Sequence, residues 1–410
     1  MGYRIVEVDV RRPLSEVSFG PDDGVGLLLR DGTRPVGFLL LPRAGSQIPA
    51  PELEALVVSC SAEGLLRERI RAALVARDQP ALPSADFGVT VTVCTRNRPE
   101  DLERCLDSIE AATSRFPGHT EILVVDNAPP DGRTREVVER RPAVRYATEP
   151  VAGLDVARNR ALAEAGGDWI AFVDDDVRVD VDWLLGLAAA RAEHPGAAAV
   201  TGLVLPAELQ TDAQIRFERR GGFGRGYEQR RWDGRHGPGG RLHPLGAGVF
   251  GAGCNMAYDL AVLRSLGGFD EALDTGPPLP GGGDLDGFFK VLAAGHALVY
   301  EPRMAVFHRH RRGLDELRRQ YGSWGSGFAA FLGARWRDPD ERAQIVRLVV
   351  WWLGYQQREV RRAVRRGDAV DVRMTLAELA GGVGGALGGY TRSRRRMASR
   401  RAARPAQATR

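Results

Sequence analysis

Short apolar runs alternate with longer amphipathic segments through the middle of this chain. The apolar runs predict β-strands at residues 89–94, 121–126, 144–147 and 169–173. The segments between and after them predict helices at residues 99–112, 134–140, 154–165 and 182–193. Strands and helices that alternate at this spacing form βαβ units, so the pattern predicts an α/β fold built on a parallel sheet.

The first part of the chain has a different pattern. Residues 25–41 predict two strands around an Asp-Gly turn, and residues 53–76 follow with helical character. Residues 78–84 contain two prolines and predict a linker. Residues 1–85 are therefore predicted to form a small, β-rich domain, whose role the sequence does not indicate.

Beyond the fourth predicted helix the alternation becomes irregular. Residues 206–245 are rich in arginine and glycine and predict a long functional loop, whereas residues 314–366 predict helix. We therefore expect a main domain at residues 86–312 and a helical extension at residues 313–390. The last segment, residues 391–410, is dense in arginine and is predicted to be a basic, disordered tail.

Composition narrows the class of protein. Hydrophobic residues make up 43% of the chain and charged residues 27%, which is typical of a soluble globular protein. The sequence has no uninterrupted apolar run of ~18 residues to predict a transmembrane helix, and its N-terminus has no apolar signal core. The four cysteines show neither a CxxC pair nor zinc-ligand spacing, so reduced thiols and a cytoplasmic location are expected.

The net charge of +4 is unevenly distributed, because arginines are concentrated near the C-terminus. Such a run is usually a solvated tail, although it could also bind anionic lipid or nucleic acid. No aromatic and basic module of a nucleic-acid-binding domain accompanies it, so no nucleic acid partner is expected. Residues 345–355 are apolar with paired tryptophans, and together with the tail they make peripheral contact at the inner membrane face a further hypothesis.

The most informative motif is an apolar run that ends in three acids. Residues 169–173 predict a buried strand, and Asp174, Asp175 and Asp176 follow it directly. Open α/β sheets bind their ligands at the carboxyl ends of the strands. Asp174 and Asp176 face the same way in extended backbone, and their oxygens would suit Mg²⁺ or Mn²⁺ shared with phosphate. The alternative is a solvated acidic turn.

Two further positions carry candidate ligand-binding residues. Asp126 ends the second predicted strand, where a carboxylate accepts hydrogen bonds from a ribose hydroxyl or a base N–H, or else caps a turn. Arg158 lies on the first turn of the helix predicted at 154–165, where it could bind a diphosphate or form only a surface salt bridge. The first strand is not followed by GxGxxG, which argues against a dinucleotide-binding domain. Together, the three acids, Asp126 and Arg158 at one edge of the sheet predict a nucleoside-diphosphate site.

With these motifs in order, residues 88–310 resemble a family 2 glycosyltransferase, an enzyme with the nucleotide-sugar-binding GT-A fold. The matching segments are Val-Thr-Val-Cys-Thr-Arg-Asn-Arg-Pro at 91–99, Val-Val-Asp-Asn at 124–127, Gly-Leu-Asp-Val-Ala-Arg-Asn at 153–159 and Asp-Asp-Asp, an Asp-x-Asp motif, at 174–176. The resemblance implies a mixed sheet flanked by helices. It implies that nucleotide-sugar-binding residues are Thr95, Arg98, Asp126, Arg158, Asp174 and Asp175.

The second half of the resemblance concerns the acceptor and the metal. Residues 281–289 look like the family's catalytic segment, in which Asp284 would be the base. Gly283 stands where the family usually has Glu, so an orienting partner is missing, and Asp286 is the fallback base. The resemblance also implies that Asp176, Asp174 and His308 are metal ligands. A plain helix cap at Asp284 and a structural His308 remain the alternatives.

These expectations predict a glycosyltransferase that moves a sugar from a nucleoside-diphosphate donor to an acceptor hydroxyl by metal-assisted, inverting displacement with Mn²⁺ or Mg²⁺. The acceptor could be a glycan, a lipid or a small molecule. One alternative is a relative that binds nucleotide-sugar or glycan without turnover, which the glycine at position 283 favours. The other is a sugar-phosphate nucleotidyltransferase, although the glycine-rich loop of those enzymes is absent after the first strand.

Overall fold

A computed structural model describes residues 2–20, 24–42, 45–75, 86–234, 240–276 and 279–402. The predicted linker at 78–84 therefore lies outside the described residues. The elements of the N-terminal region are β1 (Tyr3–Asp9), β2 (Val17–Ser18), β3 (Gly24–Asp31), β4 (Arg34–Pro42), β5 (Gln47–Ile48) and α1 (Ala50–Val75).

The N-terminal region is a small sheet covered by one helix. β1 pairs in parallel with β3, and β3 pairs with β4 as the predicted hairpin. Gly32 in the turn has φ +68°, a conformation that glycine adopts without steric cost. Leu27 packs against Leu53 of α1. The Tyr3 N–H donates to the Leu209 carbonyl at 2.7 Å, which ties this unit to the rest of the chain.

The central region contains every strand and helix predicted between residues 89 and 193, with ends displaced by no more than two residues. Its elements are β6 (Val89–Thr95), α2 (Pro99–Thr113), β7 (Thr120–Asn127), α3 (Arg133–Glu139), β8 (Val144–Glu149), α4 (Leu154–Glu164), β9 (Trp169–Asp174), β10 (Val177–Val179), α5 (Trp183–Glu193), β11 (Ala197–Pro206), α6 (Asp212–Arg219), β12 (Arg230–Asp233), β13 (Asn255–Asp259), α7 (Leu260–Ser265), α8 (Gly283–Ala293) and β14 (Ala297–His308).

These strands form one mixed sheet in the order β10-β14-β11-β13-β9-β6-β7-β8, with β12 paired to β14. The four strands β9, β6, β7 and β8 are parallel, as the alternation predicts. β13 is antiparallel to both of its neighbours. The carboxyl ends of β6, β7 and β9 therefore meet at one edge of the sheet, and β13 enters the sheet at that same edge.

Helices cover both faces of the sheet, so successive residues of its central strands point into different cores. Val91 and Val93 of β6 pack on the side of α2, α3 and α5. Ile170 and Phe172 of β9 pack on the side of α4, α7 and α8. This double burial explains why the strands appear in the sequence as apolar runs. The predicted fold class, a mixed α/β sheet flanked by helices, is confirmed.

The predicted loop at residues 206–245 is partly wrong. α6 occupies its first part, and it begins with a capping box in which Thr211 and Gln214 bond reciprocally. β12 occupies the later part, where Trp232 is buried against the sheet. The arginine-rich composition concealed both elements, and residues 235–239 lie outside the described part of the chain.

The C-terminal region is helical, with α9 (Leu314–Arg335), α10 (Arg342–Arg365), α11 (Ala369–Ala386) and α12 (Gly389–Ala402). The helix predicted at 314–366 is thus two helices, separated at a turn that contains Pro339. α9 and α11 approach closely, since a Cβ on Gly325 would lie 1.9 Å from the Glu378 carbonyl oxygen. None of the helices in the described ranges is long and apolar enough to cross a membrane.

The structure differs from the predicted disordered tail at residues 391–402. This stretch belongs to α12, because one face of the helix is buried through Tyr390, Ser393 and Met397. Ser393 Oγ lies 3.1 Å from Thr275 Oγ1, and Arg400 donates to the Ala152 carbonyl at 2.8 Å. Residues 403–410 lie outside the described residues.

Candidate active site

A cleft of about 400 Å³ opens at the carboxyl ends of the parallel strands. The ends of β6, β7 and β9 form one wall, and residues 274–276 with Pro280 form another. Among the predicted site residues, the cleft is lined by Thr95, Arg98, Asp174, Asp175 and Asp176. Arg311 also lines it. The structure therefore brings the three acids together with three arginines, Arg96, Arg98 and Arg311, at the predicted edge of the sheet.

The three acids have different partners. Asp175 accepts hydrogen bonds from Thr95 Oγ1 at 2.7 Å and from Arg98 Nη1 at 2.8 Å. Arg98 Nη1 also lies 3.3 Å from Asp176 Oδ2, and Arg311 Nη1 lies 3.6 Å from the same oxygen. Both oxygens of Asp175 are therefore bonded to Thr95 and Arg98, whereas Asp174 and Asp176 remain candidates for binding a ligand.

Burial and crowding change how these acids ionise. Burial, together with repulsion from Asp176, raises the pKa of Asp174 to about 7. Burial also opposes ionisation of Asp176, yet the adjacent His308, Arg311 and Arg98 hold its pKa below the ordinary value. Because burial lowers the pKa of His308 to about 4, the charge beside Asp176 at neutral pH comes from the guanidinium groups.

A hydrogen-bonded chain orients His308 at the end of β14. His308 Nδ1 lies 3.0 Å from His310 Nδ1, and His310 Nε2 lies 2.7 Å from Glu218 Oε1 of α6. A carboxylate only accepts, so a neutral His310 bonded to Glu218 has its proton on Nε2 and an acceptor at Nδ1. His308 must then carry its proton on Nδ1, which leaves a lone pair on Nε2.

This lone pair faces a carboxylate. His308 Nε2 lies 3.3 Å from Asp176 Oδ1, an oxygen that is buried and has no hydrogen-bond partner in the described chain. Two lone pairs that face each other repel unless a cation lies near both. Ligand atoms of Asp174, His308 and Cys254 also lie within 4.8 Å of one another. The residues thus fit a divalent cation, with carboxylate and imidazole as its ligand types.

The sequence did not indicate that Cys254 and Glu218 would belong to this site. Cys254 precedes β13, whose pairing of Asn255 with Val173 brings the thiol beside Asp174. Burial raises the pKa of Cys254 well above the ordinary value, so the group is a neutral thiol. Only the strand pairing could have revealed Cys254. Glu218 falls in the segment that was predicted to be a loop.

Arg158 and Asp126 lie beside the cleft but not on its surface. Arg158 is 3% exposed, and its Nη1 lies 2.9 Å from Asp155 Oδ1 and 3.5 Å from Asp274 Oδ2. Arg158 therefore does not form the surface salt bridge that the sequence left open; it belongs to a buried cluster with Asp155 and Asp274. Asp126 is also buried, and its carboxylate accepts from Tyr146 at 2.8 Å; burial raises the pKa of Asp126, although Tyr146 and Thr134 act in the opposite direction.

Asp284 lies in the first turn of α8 and is not among the residues that line the cleft. The Gly253 N–H donates to Asp284 Oδ2 at 3.1 Å, and Gly253 precedes Cys254 in the chain. A Cβ on Gly253 would lie 3.0 Å from Arg158 Nη2 and 3.3 Å from Asp284 Oδ2, so both side chains meet at this glycine. Asp286 instead pairs with Lys290 at 2.6 Å in a separate, open depression of about 740 Å³. The depression is larger than the cleft, but Asp174, Asp175 and Asp176 line the cleft.

Comparison with known proteins agrees with this architecture. Residues 90–266 match the model of the family Glycosyl transferase family 2. The succinoglycan biosynthesis protein ExoM of Rhizobium meliloti is 36% identical over 128 residues, which are 30% of this chain and 40% of that protein. The pre-mycofactocin glycosyltransferase of Mycobacterium tuberculosis is 26% identical over 286 residues, which are 68% of this chain and 55% of that protein. The chain thus spans about half the length of these relatives.

One solved structure similar to this chain is the mannosyltransferase PcManGT from Pyrobaculum calidifontis in complex with GDP-Man and Mn²⁺. It aligns with a TM-score of 0.45 and 18% identity, over 82% of this chain and 91% of that chain. The sequence motifs, the mixed sheet and the matched residues 90–266 lead to the same assignment. Residues 90–266 of this chain are thus similar to glycosyl transferase family 2.

Proposed function

We propose that this chain transfers a sugar from a nucleoside-diphosphate donor to an acceptor hydroxyl, with inversion at the anomeric carbon. The observation that carries the proposal is that His308 Nε2 lies 3.3 Å from Asp176 Oδ1 in a buried site. These groups lie beside a cleft lined by Arg98 and Arg311, two side chains that remain partly exposed, and they would hold a cation there. A cation and two arginines suit a diphosphate.

In this proposal Asp174, Asp176 and His308 hold the divalent cation. When bound, the cation would neutralise negative charge that develops on the departing diphosphate. An imidazole ligand favours Mn²⁺ over Mg²⁺, because Mg²⁺ prefers oxygen ligands. His310 and Glu218 keep the tautomer of His308 that a metal requires, as second-shell partners of metal-bound histidines commonly do.

The donor would be held by the residues around the acids. Arg98 and Arg311 bind the diphosphate oxygens, and Asp175 with Thr95 keeps Arg98 in place. Asp126, buried beside the cleft and bonded to Tyr146, is the candidate acceptor for a nucleoside N–H or O–H. Arg158 supports this arrangement from behind, because its charge is already balanced by buried acids.

The acceptor would react on the side of Asp284. Its carboxylate takes the proton of the acceptor hydroxyl as the oxygen forms a bond to the anomeric carbon. The bond from that carbon to the diphosphate oxygen breaks, and its electron pair leaves with the diphosphate. Attack from one face and departure from the other invert the configuration.

A thermal-shift screen tests the proposal. Nucleoside diphosphates are added to the full chain with Mn²⁺ or with EDTA. We expect one diphosphate to raise the melting temperature only when Mn²⁺ is present, and Asp176→Ala to abolish that rise. Asp233→Ala, which removes an exposed acid of β12, is the matched control and should respond like wild type. Equal stabilisation with EDTA would refute a metal-dependent donor site.

We also propose that the protein binds an anionic membrane surface on its cytoplasmic side. α10 exposes Val350 by 65% and Trp351 by 47%, and the Trp351 ring stacks on Tyr355 at 5.8 Å. Arg347 lies one helical turn before Trp351, and α12 exposes further arginines. Aromatic side chains beside arginines suit a lipid interface. Vesicles with anionic lipid should bind the protein less well as salt rises, and vesicles of neutral lipid should not bind it.

A further inference from the structure

The carboxylate of Asp155 occupies the space above Gly283. An ideal Cβ on Gly283 would lie 2.0 Å from Asp155 Oδ2 and 2.3 Å from Asp155 Oδ1. Gly283 is the first residue of α8, and its φ is not in the left-handed region. Glycine is therefore required at this position for space rather than for backbone conformation, and Asp155 of α4 is the residue that takes the space.

Asp155 lies buried beside Arg158 rather than acting as a helix cap, and burial together with the nearby Asp274 raises its pKa well above the ordinary value. It is fully buried, and α4 begins after Gly153 without a side-chain cap. Asp155 Oδ1 accepts from Arg158 Nη1 at 2.9 Å, while Oδ2 has no hydrogen-bond partner in the described chain. Burying a carboxylate with one unsatisfied oxygen opposes folding, so packing alone does not explain its presence.

The cluster connects Asp155 to Asp284. Asp274 accepts from the Gly283 N–H at 3.1 Å and lies 3.5 Å from Arg158 Nη1. The other guanidinium nitrogen of Arg158 faces the Gly253 position, as does the Asp284 carboxylate. Arg158 thus lies between Asp155 on one side and Asp284 on the other. Without Asp155, the Arg158 charge would be free to pair with Asp284 and to draw it away from an acceptor.

We propose that Asp155 is a positioning residue for Asp284, supplying from α4 a carboxylate in the place of an acidic side chain at position 283. The inference rests on the proposed function, in which Asp284 is the base. Asp155 keeps Arg158 paired and in place, so that the Asp284 carboxylate stays available to the acceptor hydroxyl.

The test removes the carboxylate at position 155 of α4 and then restores a carboxylate at position 283 of α8. Asp155→Asn keeps the volume and removes the charge, and we expect kcat for release of nucleoside diphosphate to fall about 10- to 100-fold. Asp155→Ala should lose at least as much. The double variant Asp155→Ala with Gly283→Glu should recover most of that loss, because a glutamate at 283 then has the space that Asp155 vacates. Asp155→Ala with Gly283→Gln is the matched control and should not recover.

The assay uses the full chain, a panel of UDP- and GDP-sugars with Mn²⁺, and detection of the released nucleoside diphosphate. The KM for the donor should change less than kcat, since Asp155 does not line the donor cleft. Equal activity of Asp155→Asn and wild type, or equal recovery by glutamate and glutamine, would overturn the inference alone. A folded wild type without turnover of any donor would overturn the proposed function and this inference with it. If Asp155→Asn does not fold, the two double variants decide the matter.

Discussion

Asp174 couples the stability of this protein to pH, and the direction of the coupling can be worked out. Burial and the neighbouring Asp176 raise its pKa from the ordinary 3.8 to about 7 in the folded chain. The folded state therefore holds this proton more tightly than the unfolded state does. The contribution of Asp174 to stability is full below pH 3.8 and is lost as pH rises through 7.

The size of the effect follows from the shift. A difference of about three pH units corresponds to about 4 kcal/mol when the loss is complete. Part of this loss has already occurred at pH 5, so the metal-free protein should lose about 2–3 kcal/mol through Asp174 between pH 5 and pH 8. Asp174→Asn cannot ionise, and its free energy of unfolding should lack this component.

Denaturant unfolding in EDTA at several pH values measures the difference between wild type and Asp174→Asn. The difference should move by about 2–3 kcal/mol in favour of the variant from pH 5 to pH 8. Mn²⁺ should act in the opposite direction, because a metal displaces the proton. Its affinity for wild type should rise about tenfold per pH unit up to about pH 7 and then level off. A difference in unfolding free energy that does not change with pH would refute the reasoning.

Three further predictions concern other residues of the site. Glu218→Gln should weaken Mn²⁺ affinity about 10- to 100-fold in a calorimetric titration, because an amide can donate and no longer fixes the tautomer of His308; unchanged affinity would contradict the chain of hydrogen bonds. Arg98→Ala should lower affinity for a nucleoside diphosphate at least tenfold, whereas Arg104→Ala on the exposed side of α2 should leave it unchanged; equal effects would refute a local role. Asp284→Asn should lower kcat at least 100-fold and leave donor affinity within about threefold, and retained turnover would exclude Asp284 as the base.

The edge of the sheet could be predicted because its signal is local. Residues 169–173 are apolar on both faces of a strand, and three acids follow at once. Parallel strands bring their carboxyl ends to one edge, so Thr95 and Asp175 could be expected close together before any coordinates were known. The structure has them joined by a hydrogen bond of 2.7 Å.

The contacts from distant segments could not be predicted in this way. Cys254 approaches Asp174 because β13 runs antiparallel to β9 in one register, and one-residue differences in register reverse which face a side chain occupies. Glu218 reaches His310 from a helix that arginine-rich composition concealed. Neither relation has a spacing along the sequence that marks it.

Arg158 shows a different limit. Its place in the first turn of α4 could be predicted from the pattern, but its burial could not. The environment of Arg158 depends on Asp274, which lies 116 residues further along the chain and comes within 3.5 Å of it. Likewise, α12 is ordered by contacts that Tyr390 and Met397 make with distant segments, whereas its composition alone indicates a solvated tail.

The most direct test of the central claim is anomalous diffraction at the manganese edge, from crystals of the full chain grown with Mn²⁺ and a nucleoside diphosphate. The proposal predicts one strong peak in contact with Asp174, Asp176 and His308 Nε2, and diphosphate oxygens between that peak and Arg98. A peak at another place, or diphosphate bound in the cleft without any metal, would contradict it.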